Sequence, residues 1–314
     1  MSKRKISIVS SAYNEQDNVC ELYERVKQEM AKHADKYEYE QIVLDNASTD
    51  HTLEELRKIA AQDKNFKVIV NARNFGHIRS PYYGILQCQG DAVIYLASDL
   101  QDPPELLGQL LQKWEEGFKV VLGQKVQSKE GYCFFLVRKA YYWLLNLVND
   151  SGAQLLPNCT GFGLFDQEVV SQMRQLNDPY PYLRGIVCEF GYTATTIPFT
   201  QPTRKRGLTK NNFYTLYDNA MLGFTNHSKV PLRLAAMGGF MLGLISFALA
   251  VIYLVLKLIY WNSFPMGTAP LLLAVLFFAS VQLFFLGILG EYIGAILTQV
   301  LKHPLVIEKE RINF

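Results

Sequence analysis

The sequence predicts an α/β domain built on a mostly parallel sheet, followed by a hairpin of two membrane-spanning helices. Three observations carry this. Short apolar runs alternate with helix-period segments between residues 6 and 122. Acidic and amide residues gather just after four of those runs. Residues 234–256 and 258–290 contain no Asp, Glu, Lys or Arg. Strands that are apolar on both sides belong in a parallel sheet covered by helices on both faces. Such sheets bind ligands beyond the carboxyl ends of their strands.

Residues 6–11 form the first strand. Lys3-Arg4-Lys5 before it resembles the start of a signal peptide, but the apolar run is too short and Asn14-Glu15 ends it. Val19, Leu22, Tyr23, Val26 and Met30 recur at helical spacing. Residues 41–44 are a second strand, ending at Asp45. Leu53, Leu56, Ile59 and Ala60 mark a second helix, with Thr52 and Glu55 spaced for a capping box. A third strand (66–70), a helix (78–89) and a fourth strand (92–96) follow. An acidic turn then leads into a helix over 104–116, with Pro104 suited to its first turn, and a fifth strand at 120–122. Residues 134–148 read equally as a membrane-surface or a core helix; residues 208–230, beside the first span, read as an interfacial helix.

The charge-free runs are long enough, at about 1.5 Å per residue, to cross a hydrocarbon core of about 30 Å. The turn between them, 261–267, is short and uncharged, so both ends of the hairpin face the same side. Arg204, Lys205, Arg206, Lys210, Lys229 and Arg233 precede it, and Lys302, Lys309 and Arg311 follow. Positive charge on the inner side places the large domain and the tail in the cytoplasm. Tyr260 and Trp261 suit the far interface. Glu291 lies near the cytoplasmic end of the second span, within reach of headgroups or a helix partner. Gly238, Gly239, Gly243, Gly287, Gly290 and Gly294 allow close helix packing, including between subunits.

A net charge of +2 gives no reason to expect nucleic acid. Five scattered cysteines with no CxxC pair fit reduced thiols and give no zinc site. GxGxxG and GxxxxGK[ST] are absent, which removes the main support for dinucleotide and P-loop readings. At the strand ends stand Tyr13-Asn14-Glu15, Asp45-Asn46, Asn74-Phe75-Gly76-His77 and Asp99-Leu100-Gln101-Asp102. Hard oxygen ligands in the last turn suit Mg2+ or Mn2+ shared with a substrate diphosphate. The same residues suit an Asx turn leading into the next helix.

The chain resembles the family 2 glycosyltransferases, in the branch that acts on polyprenyl phosphates. The matching residues are Tyr13-Asn14-Glu15; Asp45 with Ser48, Asp50 and Thr52; Asn74-Phe75-Gly76; Gly90-Asp91; Asp99-Leu100-Gln101-Asp102-Pro103-Pro104-Glu105; Phe162, Leu164 and Asp166; Arg204, Gly207, Thr209 and Lys210; Pro231-Leu232-Arg233; and Gly290-Glu291-Tyr292-Ile293. The resemblance implies a nucleotide-sugar-binding, Rossmann-like domain of the GT-A type over 1–200. A basic acceptor loop and juxtamembrane helix would occupy 201–230, two spans (about 234–260 and 269–298) 231–301, and a cytoplasmic tail 302–314.

It further implies that Tyr13, Glu15, Asp45 and Asn46 hold the base and ribose of a nucleotide-sugar donor, with Ser11, Asn74, Gly76, His77, Ala97, Ser98 and Lys125 around it. For His77 a structural hydrogen bond is an equal alternative. Asp99 and Gln101 would ligate Mg2+ or Mn2+, and Asp99 would be catalytic. Arg204, Arg206 and Lys210 would bind the phosphate of a polyprenyl (undecaprenyl) acceptor. Asp166 would be an acid–base or orienting residue, or else the N-cap of a helix over 167–175. The implied setting is a bacterial inner membrane, multi-pass, with the catalytic domain and both termini cytoplasmic, as a homo-oligomer such as a tetramer. The chain departs from the family pattern at Ser11 (often Pro), Asn46-Ala47 (usually Asp-Gly), Ala97 (often Asp) and Gly163 (often Arg). These departures surround the donor, so UDP-glucose is the default donor only. A polysaccharide synthase would share the domain, but Trp114, Trp143 and Trp261 lie in no Q-x-x-R-W motif.

Overall fold

The computed structural model describes residues 3–127, 159–202, 230–260 and 268–314. The helices read at 134–148 and 208–230, and the basic residues Arg204, Arg206 and Lys210, lie outside the described residues.

The alternation read from the sequence folds as β1 (Arg4–Ala12), α1 (Val19–Ala31), β2 (Tyr37–Asp45), α2 (Thr52–Gln62), β3 (Phe66–Asn71), α3 (Gly76–Gln87) and β4 (Ala92–Tyr95). A 3-10 turn at Pro104–Leu106 leads into α4 (Leu107–Glu115). Then come β5 (Val120–Gln127), β6 (Cys159–Asp166), α5 (Gln167–Leu176), α6 (Leu183–Glu189) and β7 (Ala194–Thr200). Two long helices follow, α7 (Val230–Ile259) and α8 (Thr268–Leu301), and last β8 (Glu308–Ile312).

The eight strands form one sheet in the order β7-β5-β6-β4-β1-β2-β3-β8. Pairing is parallel for β4-β1-β2-β3 and for β5-β7, and antiparallel where β6 and β8 join. The carboxyl ends of β1 to β5 therefore share one edge with the amino ends of β6 and β8. Apolar side chains on one face of the sheet, including Ile6, Ile8 and Ile94, pack under Leu22 and Val26 of α1 and Leu107 and Leu110 of α4. On the other face, Val9, Leu44 and Val93 pack under Tyr82 and Ile85 of α3 and Val170 and Met173 of α5. Each such buried side chain contributes about 1.5–3 kcal/mol, so the central strands are held by both layers at once.

α7 and α8 contain stretches, Leu232–Tyr253 and Phe277–Leu301, long and apolar enough to cross a membrane, with mean hydropathies of 2.2 and 1.7 and almost nothing buried. A Cβ on Gly238 would stand 3.6 Å from Phe285, so that glycine seats α7 against α8. The other five glycines of the two helices face open space. The end of α8 touches the α/β domain: Gln299 donates to Asp178 at 2.8 Å. A cleft of about 360 Å3 opens there, with Tyr182 and Ile186 on one wall and Tyr292 and Ile296 on the other.

Residues 302–314, read as a tail, instead contribute a strand. α8 stops where Lys302 turns left-handed (φ 46°) with Pro304 two residues on. The chain then enters the sheet at its site edge, where Ile307 accepts from the Ala72 N–H at 2.9 Å, and β8 runs antiparallel along β3. Arg57 pairs with Glu310, Tyr83 donates to Glu308, and Asn313 donates to the carbonyls of Ala60, Asp63 and Phe66. The alternation Glu308-Lys309-Glu310-Arg311-Ile312 carries too few apolar residues to read as a strand; the free edge of β3 supplies the partner. Deleting residues 306–314 should cost at least about 2 kcal/mol, because the buried side chain of Val306 is lost and β3 loses its partner. Thermal unfolding of the purified protein in detergent checks this; an unchanged midpoint would show the strand to be ornamental.

Candidate active site

Four loops leave the site edge of the sheet, and one chain of polar side chains joins them. Ser98, after β4, donates to the Ser11 carbonyl at the end of β1. The Ser11 and Ser80 hydroxyls are 2.9 Å apart. Asn71, the last residue of β3, donates to Ser80 at 3.2 Å and to Asn46 Oδ1 at 3.0 Å. Asn46 Oδ1 also accepts from the Phe75 N–H at 2.9 Å. Its amide donates to Asn74 Oδ1 at 3.0 Å and to the Gly76 carbonyl at 3.2 Å. Asn46 thus uses both lone pairs and both N–H groups, and is 4% exposed.

Several residues read as donor contacts also hold the loops to one another. Asn46, Ser98, Asp45 and Glu15 are all buried. Asp45 accepts from the Ser48 N–H, and burial pushes its carboxyl above the usual range, partly offset by Ser48. Glu15 is held by Asn18 and by Thr52, whose hydroxyl accepts the Glu15 N–H at 2.8 Å and donates to Asp50 at 2.5 Å. That occupation explains why the capping box read at Thr52 and Glu55 does not form: the Thr52 hydroxyl serves the neighbouring loop, and α2 starts without a side-chain cap. Tyr13, Asn74, Gly76, His77, Ala97, Asp99, Gln101 and Lys125 are the predicted residues that remain accessible at the edge, with Ser11 half-buried among them.

The turn after β4 combines both arrangements expected of it. Asp99 Oδ1 accepts the Gln101 N–H at 3.1 Å, an Asx turn. Its Oδ2 makes no hydrogen bond among the described residues. Asp102 turns inward, accepts the Ala97 N–H at 2.9 Å and is 4% exposed. Burial pushes its carboxyl up to about 6; the Ala97 N–H opposes this, Asp99 adds to it, and Lys125 and Arg184 pull the other way. No three His, Cys, Asp or Glu side chains converge on a metal position among the described residues. Asp99 and Gln101 offer a carboxylate and an amide oxygen on an open turn. That is the donor set of a Mg2+ or Mn2+ ion whose remaining ligands are water and substrate phosphate.

Asp166 is elsewhere. It pairs with Ala92, at the start of β4, roughly 10 Å back along the strand from its site end. Its side chain caps α5 by accepting the Glu168 N–H at 3.0 Å, accepts from Trp114 Nε1 at 2.8 Å and meets Lys119 at 3.2 Å. Because β6 runs antiparallel to β4, its last residue lands on the edge opposite Asp99. Of the two roles read for Asp166, the helix cap is the one whose geometry is present. Gly163 has an equally local reason. A side chain there would run into the Val121 carbonyl and the Leu122 backbone, where β5 and β6 shift register.

With this geometry in view, the comparisons with known proteins are specific. The Glycosyl transferase family 2 profile matches residues 7–173. The chain belongs to that family. A GtrB C-terminal hairpin profile matches residues 231–296. The uncharacterized glycosyltransferase YkcC of Bacillus subtilis is 34% identical over 96% of this chain and 92% of its own length. The SfII prophage-derived bactoprenol glucosyl transferase of Shigella flexneri is 31% identical over 98% of both chains. Glucosyl-3-phosphoglycerate synthase of Mycobacterium tuberculosis, solved with Mn2+, UDP and phosphoglyceric acid, covers 71% of this chain and 76% of its own at 20% identity, with a TM-score of 0.47. In this family 2 enzyme the fold is the GT-A-like α/β sheet.

Sequence reading missed three residues there. Asn71 and Ser80 complete the polar chain; a polar residue closing the apolar run of β3 was the available signal. Arg184, on α6, has no neighbouring motif and is visible only through the packing of that helix.

Two outcomes follow from the geometry. Asn46→Asp turns two donors into acceptors facing Asn74 Oδ1 and the Gly76 carbonyl, and should cost about 2–3 kcal/mol at neutral pH by thermal unfolding. Asp166→Asn should cost about 1–2 kcal/mol at pH 7 while leaving turnover intact. Burial opposes ionisation of Asp166, but Trp114, the Glu168 N–H and Lys119 outweigh it and hold the carboxyl below the usual range. A folded-state value below the unfolded value of about 3.9 gives stability that is present above that pH and is lost as pH falls through the folded value. The gap between wild type and Asp166→Asn should therefore close below about pH 4. A variant that keeps its stability but loses turnover would return Asp166 to the chemistry.

Proposed function

We propose that this protein transfers a sugar from a nucleotide-sugar donor to a polyprenyl phosphate, with inversion at the anomeric carbon. The observation that carries the reading is the shared edge. The open Asp99–Gln101 turn lies on the same edge of the sheet at which the chain arrives from α8. Six residues separate Leu301 from Glu308, a span of at most about 25 Å. An acceptor phosphate at the membrane surface is then within reach of the donor edge. The bactoprenol glucosyl transferases that match nearly the full chain support the acceptor class.

In this reading Asp99 and Gln101 are the residues that would hold a divalent ion. That ion, when bound, supplies charge stabilisation to the departing diphosphate. The accessible residues Tyr13, Asn74, His77 and Lys125 orient the donor. The acceptor phosphate has a second pKa of about 6 and is largely deprotonated at pH 7, so no buried base is needed to activate it. Positioning and charge then carry the catalysis. Arg204, Arg206 and Lys210 neutralise the acceptor phosphate. The cleft beside Tyr292 and Ile296 lies where the first isoprene units would leave the bilayer. The hairpin puts both of its ends on the cytoplasmic side of a bacterial plasma membrane. The outward glycines of α7 and α8 suit self-association, and UDP-glucose is the first donor to test.

Purified protein incubated in detergent with undecaprenyl phosphate, Mg2+ and radiolabelled nucleotide sugars should yield one labelled, mild-acid-labile lipid. Asp99→Ala should lower that yield at least about 100-fold, the scale of losing a group that stabilises transition-state charge. Label appearing in polymer rather than lipid would overturn the acceptor assignment. Full activity in Asp99→Ala would overturn the site.

A further inference from the structure

Arg184 stands apart from the other arginines. It is half-exposed and makes no hydrogen bond or ion pair among the described residues. Other arginines of the domain are occupied. Arg25 binds Glu105, Arg57 binds Glu310, Arg79 and Arg174 donate to backbone carbonyls, and Arg311 binds Glu308. A guanidinium has five donors and stays charged, so one left without a partner in a folded domain is placed to receive an anion.

Its position says which anion. α6 packs on the site half of β6: a Cβ on Gly161 would lie 3.8 Å from Leu183, the residue before Arg184. Within β6, Cys159 pairs with Gln124, the neighbour of Lys125, and Gly163 pairs with Tyr95 at the end of β4. α6 thus lays Arg184 over the strand ends that carry Lys125 and the Asp99–Asp102 turn. The guanidinium is near enough to Cys159, at the start of β6, and to Tyr95, at the end of β4, for its charge to act on both. Both residues lie toward the site ends of their strands.

One carboxylate, Asp99, already stands on this edge, with Asp102 buried behind it. A nucleotide diphosphate arriving there adds negative charge, and the departing nucleoside diphosphate carries one more than the donor did. Lys125 is the nearest cation read from the sequence, and it is a point charge on a flexible stem. Arg can engage two phosphate oxygens at once.

We propose that Arg184 is a catalytic residue that binds the donor's diphosphate and stabilises it as a leaving group. This rests on the donor-site reading above. In the step, the bond between the anomeric carbon and the β-phosphate oxygen breaks with its electron pair going to that oxygen. An oxygen of the acceptor phosphate forms the new bond to the anomeric carbon. No redox partner enters, and Arg184 keeps its protons, contributing hydrogen bonds and charge.

The test uses the full-length protein in detergent with Mg2+. Binding of UDP, GDP and dTDP, each against its matched nucleoside, is measured by calorimetry for wild type, Arg184→Ala and Arg184→Lys. For the nucleotide that wild type binds, Arg184→Ala should weaken diphosphate binding on the order of 10-fold or more, the scale of a charge-assisted hydrogen bond. Nucleoside binding and the melting temperature should be unchanged. Arg184→Lys should recover part of the affinity. With the sugar donor, kcat should fall more than KM rises in Arg184→Ala, because the charge on the diphosphate is greatest as it leaves. Wild-type affinity for the diphosphate in Arg184→Ala overturns the proposal, and so does an equal loss for diphosphate and nucleoside, which marks a structural role. Failure of wild type to bind any of the diphosphates overturns the donor site itself, and with it this assignment.

Discussion

The site edge depends on Asn46. A buried amide can make four hydrogen bonds, and leaving any of them unmade costs about 1–3 kcal/mol. Asn46 makes all four, to groups belonging to β3, to the loop after it and to the start of α3. Asn71 and Ser80 extend the chain to Ser11, and Ser98 closes it onto β1. The loops after four strands are therefore fixed relative to one another by side chains, since loops have no sheet hydrogen bonds of their own. The accessible residues, Tyr13, Asn74, His77 and Asp99, stand on that frame. The same requirement accounts for the departure from the family at this position. An aspartate has no N–H to offer Asn74 and Gly76, so the frame as built here demands the amide.

β8 fixes the frame to the hairpin. It takes the free edge of β3, whose last residue is the Asn71 that grips Asn46. Tyr83 of α3 bonds Glu308, so the strand also braces the helix that begins at Gly76. The chain leaving α8 thus ends on the two elements that hold the third loop.

How legible this was depended on the range of the forces involved. Apolar runs specify their own burial, so strands, covering helices and the two long apolar helices could be read locally. Convergence of the four strand ends followed from parallel pairing. The roles of single residues did not, because they depend on partners far away in sequence. Asp166 reads as well for chemistry as for capping until the antiparallel direction of β6 puts it at the far edge. Glu308–Ile312 has no strand pattern of its own and borrows its form from β3. The structural partners of Asn46, 25 to 30 residues on, leave no local mark.

The loops also explain the shape of the turn at Asp99. Asn14, Ala47, Gly76 and Leu100, one in each loop, are left-handed, with φ of 58°, 59°, 84° and 60°. Glycine takes this conformation freely, and asparagine tolerates it; for other residues it costs about 1–2 kcal/mol. Gly76 and Asn14 thus meet the requirement cheaply. Ala47 is forced into it by Asn46 and by Ser48, whose N–H is tied back to Asp45. That is why glycine is the residue usual in the family at this point. Leu100 has a different compensation. Its side chain is 6% exposed and packs in the core with Leu96 and Leu107. Burying a leucine returns about 1.5–3 kcal/mol, enough to offset the strained backbone. The reversal of the chain at Leu100 then sends the neighbouring Asp99 and Gln101 outward while the leucine points in. The hydrophobic effect, acting on the residue between them, presents the two oxygen ligands to the edge.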